Sequence, residues 1–299
     1  MILHYIALCK PSIVLANLIS LISGFIFASK YYINYTLLLF ISFSMCLIIA
    51  ASCVFNNYID YNIDKKMQRT KNRILVKKLI TKKNSLIYAI ILTITGFLLL
   101  YHCANIIVIC LAKVSFIIYV IIYSIFMKTS SPYSVLTGSI SGAIPITIGY
   151  CSVTNTFDTT ALLLFLIFIF WQIPHSYSLI ILKFQEYKTA NIPTMVSKIG
   201  IPKTKKYIKL YICIFALLTS LLTMLGHTGY TYLLTITTMN IWWIMTTIQK
   251  NIPTKNYAKK IFTQSIIIIM TFDIMISIDY HITLESLLYS NYHKSFYIK

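Results

Sequence analysis

FNNYIDYNIDKKMQRTKNR, residues 55 to 73, follows directly on an apolar stretch and sets two of the chain's seven acids beside a dense basic run. Asp60 and Asp64 are four residues apart and Asn56 lies one turn earlier, so on a helix all three share nearly one face. Such a face at the end of an apolar run reads as a metal cradle at a membrane edge. Carboxylates one turn apart suit Mg2+, a hard cation that keeps several waters and bridges a few protein oxygens to phosphate oxygens. Arg69, Lys71 and Arg73, with Lys77 and Lys78 beyond, supply charge for the rest of a diphosphate. The implied substrate is a diphosphate with a greasy tail. Its chemistry would be ionisation of an allylic carbon, with charge stabilisation of the departing diphosphate as the main catalytic term. The competing reading pairs the acids with Lys65 and Lys66 on a solvated helix end. Asn56, Asn57 and the RTKNR that follows turn the balance toward the metal.

The rest of the chain fixes the class. Of 299 residues 58% are hydrophobic and only 11% charged, and the mean hydropathy is +0.77, outside the range of a soluble globular chain. Windows of about 20 apolar residues predict an all-α polytopic membrane protein with nine spans. They fall near 12–29, 35–54, 84–103, 105–126, 133–152, 160–181, 207–226, 229–248 and 262–281. Only HCAN at 102–105 separates the third from the fourth. The two largest inner loops, 55–83 and 182–206, follow the second and sixth spans, which points to one domain over 1–299 built on a repeated four-helix unit with a ninth helix added.

Basic residues set the orientation. With the N-terminus in the cytoplasm, 22 of the 26 Lys and Arg lie on the inner side, leaving Lys30, Lys294 and Lys299 outside and Lys113 within a span. The C-terminus is then periplasmic. The net charge of +19 is a topology signal and an attraction to the anionic surface of the lipid bilayer, and it gives no ground for a nucleic-acid partner. No cleavable leader or transit segment is evident ahead of the first span, so a bacterial inner membrane, with the acid-bearing loops facing the cytoplasm, is the expected home. The seven cysteines form no CxxC pair and read as small apolar packing groups.

NNYIDYNIDKKMQRTKNR resembles the first Asp-rich motif of the UbiA-type membrane prenyltransferases, and its Met67, Arg69, Thr70 and Arg73 resemble the haem branch in particular. The likeness continues through KPSIVLANLIS (10–20), YSIFMK (123–128), LTGSISGAIPITIGY (136–150) and WQIPHSYSLIILKFQEYKTANIP (171–193). It implies a nine-helix bundle that holds farnesyl diphosphate through Mg2+ and joins the farnesyl group to a vinyl carbon of haem b. Water would then supply the hydroxyl of haem o. By resemblance Asn56, Asp60 and Asp64 form the first metal motif, and Glu186 is the acid of the second, where Asp is usual. Asp60, Asp64 and Glu186 are thus the catalytic acids, with Arg69, Lys71, Arg73 and Lys128 on the diphosphate. Asn17, Asn57, Tyr123, Trp171 and Tyr187 are implied to line the substrate cavity.

The chain departs from the family pattern at Thr129, where Arg commonly follows the lysine, at Asn62 in place of Asp, and at Ile146 in place of a second proline. His175 lies deep in the sixth span. A polar group there is a functional suspect, and with an iron porphyrin as acceptor it is expected to contact haem. Lys113 and Asp273, each about midway along a span, are expected to pair with each other, or Lys113 to snorkel outward. Haem o is expected to pass to a terminal oxidase assembly or a haem a synthase. Two alternatives stand beside this reading: a prenyltransferase of the same superfamily acting on an aromatic quinone precursor, and a secondary transporter. The transporter fits less well, because its ionisable groups would gather near the midplane and not at inner helix ends.

Overall fold

A computed structural model of the chain describes residues 2–30, 32–249 and 252–279. Every regular element among them is helical. In chain order they are α1 (Ile2–Leu8), α2 (Pro11–Ser29), α3 (Tyr35–Ile59), the single turn α4 (Tyr61–Asp64), α5 (Lys82–Cys103) and α6 (Ile106–Ile117). The last continues as a π-helix over Ile118–Met127 and ends in the turn α7 (Lys128–Ser130). Then come α8 (Ser134–Thr154), α9 (Thr159–Leu182), the short α10 (Phe184–Thr189), α11 (Met195–Met224), α12 (Tyr230–Ile248) and α13 (Thr254–Ile278).

Eight of these helices are long and apolar enough to cross a membrane. The ninth expected span, α12, forms as a helix of 19 residues, but Thr231, Thr235, Thr237, Thr238, Thr246 and Thr247 make it more polar than the others. Two spans begin earlier than their apolar stretches. α13 starts at Thr254, and α11 opens at Met195 on a capping box formed by Thr194 and Ser197, breaks at Gly200 (φ 79°) and resumes at Ile201. Their opening turns carry lysines, which a hydropathy window leaves out. Helix starts are marked by side-chain caps, as expected of Asn, Asp and Thr: Asn34 for α3, Thr81 for α5, Asn105 for α6 and Asp158 for α9. Asn105 turns the HCAN break into a two-residue corner, for its amide also donates to Cys151 O and Asn155 Oδ1, both at 2.8 Å.

The bundle is organised around α8, which packs on α2, α6, the π-helix and α9, while α13 closes the inner group against α2 and α9. The α2–α8 crossing is a backbone contact. A Cβ on Gly149 would lie 1.9 Å from Leu21 O, and one on Gly24 would lie 2.2 Å from Ile146 O. Small residues bring membrane helices together because lipid offers no hydrophobic drive between them and packing must do the work. The pairing of α3 with α5 is repeated by α9 with α11, and in both cases an acid-bearing inner loop joins the two.

The expected Lys113–Asp273 ion pair does not form. Asp273 is 2% exposed and its Oδ2 accepts from Ser20 Oγ at 3.1 Å, whereas Lys113 is exposed on α6, as its snorkelling alternative requires. A hydroxyl on a facing helix thus partners one carboxylate oxygen, and the other, Oδ1, is buried without a hydrogen-bond partner. Asp279 caps α12 through the N–H groups of Gly229 and Tyr232. Lys294, Lys299 and the C-terminal end of the chain lie outside the described residues.

Replacing Gly149 with Ala forces α2 and α8 apart, and the expected cost is about 1–3 kcal/mol, the range for overpacking a well-filled contact. Thermal unfolding of the detergent-purified protein checks it; an unchanged Tm would contradict the crossing.

Candidate active site

The C-terminal end of α3 and the turn α4 gather the polar residues of the first motif. Asn56 and Asn57 are each 4% exposed, Asp60 is 0% and Asp64 is 3%. Carboxylates so far out of water demand compensation, and cations from two other parts of the chain provide it. Lys128, presented by the end of the π-helix, pairs with Asp60 Oδ2. Arg73 Nη1 lies 2.6 Å from Asp64 Oδ2, and Thr70 Oγ1 donates to Asp64 O at 3.2 Å. Asn56 accepts from Lys10 Nζ at 2.6 Å through Oδ1 and donates to Ser124 Oγ at 3.2 Å. Burial and the neighbouring Arg73 guanidinium push the Lys10 ammonium down to about 8. Three cations thus attend two acids, an electropositive excess suited to a polyanion.

Glu186 on α10 joins this cluster through the backbone. Its Oε2 accepts from Arg69 N at 3.0 Å and its Oε1 lies 3.3 Å from Lys183 Nζ. Slight burial works against its ionised form, but the Arg69 N–H and the Lys183 ammonium outweigh it and hold the carboxyl below its ordinary range. The two acid-bearing inner loops therefore meet. Their acids do not close on one point: among the described residues no three His, Cys, Asp or Glu side chains lie close enough to hold one ion. The residues present nonetheless fit a hard cation. Asp60 Oδ1 is buried without a hydrogen-bond partner, on the same carboxylate that Lys128 holds by its other oxygen, and the donor set is oxygen throughout.

The other expected site residues divide. Tyr123 stacks on Tyr119, ring centroids 5.7 Å apart, and a Cβ on Gly138 would lie 3.3 Å from the Tyr123 ring. Tyr187 packs with Met67, Ala190 and Ile192 beneath the loop that carries Arg69. Trp171 and His175 stack with ring centroids 5.2 Å apart, and the Phe262 ring centroid lies 4.7 Å from that of the imidazole, tilted by 30°. Trp171 Nε1 donates to Ser265 O at 2.7 Å, and His175 Nδ1 lies 2.8 Å from Ser265 Oγ. Any ligand bond from this histidine therefore has to use Nε2. Asn57 spends its amide on Leu8 O at 2.8 Å, tying α1 to α3, and Asn17 bonds Ile13 O within its own helix at 2.8 Å. Arg69 and Lys71 are exposed, and neither side chain makes an ion pair among the described residues.

Lys10, Ser124 and Thr70 are part of the cluster and were not among the residues that sequence reasoning assigned to it. Lys10 sits just before Pro11 at the entry to the first helix, in a left-handed backbone conformation with φ 51°. A charge at a span boundary reads as a topology marker, and only its position in KPSIVLANLIS hinted at more.

A sequence profile of the UbiA prenyltransferase family matches residues 17–266. Protoheme IX farnesyltransferase of Yersinia pseudotuberculosis serotype O:1b (strain IP 31758) is 48% identical over 284 residues, covering 94% of this chain and 96% of that protein. The protein of the same name from Cronobacter sakazakii (strain ATCC BAA-894) is 47% identical with the same coverage. The fold is similar to a solved structure of digeranylgeranylglyceryl phosphate synthase in membranes, with TM-score 0.79 and 19% identity over 93% of this chain and 98% of that one. It is also similar to a UbiA homologue of Archaeoglobus fulgidus bound to GPP and Mg2+, with TM-score 0.63 and 15% identity over 92% and 100%. Profile, relatives and fold agree: the chain belongs to the UbiA prenyltransferase family, in the protoheme IX farnesyltransferase group.

Proposed function

We infer that this prenyltransferase moves the farnesyl group of farnesyl diphosphate onto a vinyl group of haem b, with addition of water, to give haem o and diphosphate. The observation that carries the reading is the meeting of the two inner loops, where Glu186 accepts from Arg69 N–H beside Asp60 and Asp64 with their attendant cations. The names of the relatives at 47–48% identity supply the acceptor, and the GPP and Mg2+ of the archaeal homologue support the metal.

Asn56, Asp60, Asp64 and Glu186 are the residues that would hold Mg2+. Bound there, the ion would neutralise diphosphate oxygens and so ease departure of the leaving group. Lys128 and Arg73, which pair with the carboxylates in this structure, are then the cations placed to turn to the diphosphate, with Lys10 and Arg69 alongside. Charge developing on the leaving oxygens meets fixed positive groups in a site screened from water, where each is worth more than in solution. Tyr119 and Tyr123 turn stacked rings toward the same end of the bundle and are suited to an allylic cation. Trp171, His175 and Phe262 form an aromatic cluster of the kind a porphyrin edge packs against. The distribution of Lys and Arg supports a site that faces the cytoplasm at a bacterial inner membrane.

Purified protein given farnesyl diphosphate with either haem b or 4-hydroxybenzoate is expected to yield farnesylated, hydroxylated haem only, by mass spectrometry. Prenylated benzoate would favour the quinone-precursor alternative, and neither product would favour the transporter. EDTA should abolish turnover and Mg2+ restore it. Asp60→Asn and Asp64→Asn are each expected to cost roughly 100-fold or more in kcat, the scale of losing one stabiliser of transition-state charge.

Arg73→Ala removes a charge-assisted contact, with an expected loss in kcat/KM of about 10- to 100-fold, whereas Lys71→Ala, at an exposed position, stays within about twofold. Equal losses at 71 and 73 would overturn this division. Lys128→Ala leaves Asp60 buried without its cation. It should lower stability by about 3–5 kcal/mol, read as a fall in Tm in metal-free buffer.

A further inference from the structure

Gln172 on α9 carries a polar group outside the cluster of acids and cations. Its Oε1 is buried and has no hydrogen-bond partner, a state that costs free energy unless a donor arrives. The amide is pressed against α8 at a glycine: a Cβ on Gly142 would lie 2.2 Å from Gln172 Oε1 and 2.6 Å from its Nε2. One turn away on the same helix, Gly138 makes the matching allowance for the Tyr123 ring. Four residues are about 6 Å of helix rise, so Gln172 sits one step along α8 from the aromatic pair at the diphosphate end. On its own helix, which runs antiparallel to α8, His175 is one turn on, back toward the diphosphate end, with the Trp171 and Phe262 rings 5.2 and 4.7 Å from its imidazole. The unpartnered oxygen thus lies within about one helical turn of both the Tyr123 ring and the aromatic cluster proposed to meet the porphyrin.

The geometry points to Gln172 as the residue that positions the water which hydrates the acceptor; this rests on the farnesyl-to-haem reading above. In that reaction C1 of the farnesyl group bonds to the terminal vinyl carbon as the C1–O bond breaks, and diphosphate leaves with the electron pair. The vinyl π pair forms the new bond, which leaves a cation on the carbon attached to the ring. Gln172 Oε1 accepts a hydrogen bond from one water and aims its lone pair at that carbon. The C–O bond forms and the released proton goes to diphosphate. Without an oriented water, the cation instead loses a proton from the neighbouring methylene, giving a farnesylated alkene lighter by one water.

The test is the product ratio of the purified, Mg2+-loaded full chain with farnesyl diphosphate and haem b, resolved by mass spectrometry in 18O-water. Gln172→Leu is expected to raise the alkene-to-alcohol ratio at least about tenfold, the value of one well-placed hydrogen bond of roughly 1.4 kcal/mol. Gln172→Glu, which keeps an acceptor at the same reach, should retain the alcohol, and Gln172→Asn should fall between. An unchanged ratio in Gln172→Leu overturns the proposal. So does loss of all farnesylation in the three variants together, which would assign Gln172 to substrate binding. If wild-type protein makes no farnesylated haem, the functional reading has failed, and that outcome is distinct from both.

Discussion

Everything at the inner end of this bundle depends on two carboxylates held almost wholly out of water. Burying Asp60 and Asp64 is costly unless positive charge comes to them, and it comes from separated stretches of chain: Lys128 from the end of the π-helix and Arg73 from the loop after α4. Lys10, from the entry to α2, completes the arrangement through Asn56. The charge requirement therefore acts as a folding constraint. It fixes where the π-helix ends, how the loop of residues 65–81 folds back, and where the first span begins.

The same constraint prepares the chemistry. The cations that neutralise these carboxylates are of the kind a diphosphate needs, so the same fixed charges serve fold and site. Glu186 comes from the second half of the chain and makes its link through a backbone N–H of the first.

Much of this was legible in the sequence because it was local. Asn56, Asp60 and Asp64 share a face by helical spacing alone, and the spans follow from apolar windows. Hidden features depended on partners far apart in the chain. Nothing near Asp273 foretold that Ser20, more than 250 residues away, would donate to it. Lys10 looked like a boundary charge until α2 brought it to Asn56. Asn57, adjacent to a metal-motif residue, turned out to anchor α1 through Leu8 O, since neighbours in a helix point about 100° apart. The polar first turns of α11 and α13 escaped because a hydropathy window measures affinity for lipid, which says little about where backbone hydrogen bonding begins.

The π-helix over Ile118–Met127 has one more consequence. Its wider turns let Ser124 Oγ reach back to Tyr119 O at 2.8 Å, while the backbone delivers Lys128 to Asp60 at its far end. A wide turn is an α-helix that has absorbed an extra residue. The extra residue is taken up inside the wide turns without redirecting the helix beyond them, so Ser124 turns its hydroxyl onto Tyr119 O and toward Asn56 while Lys128 keeps its place against Asp60. Room for polar partners is thereby made inside an apolar span with no break in the chain.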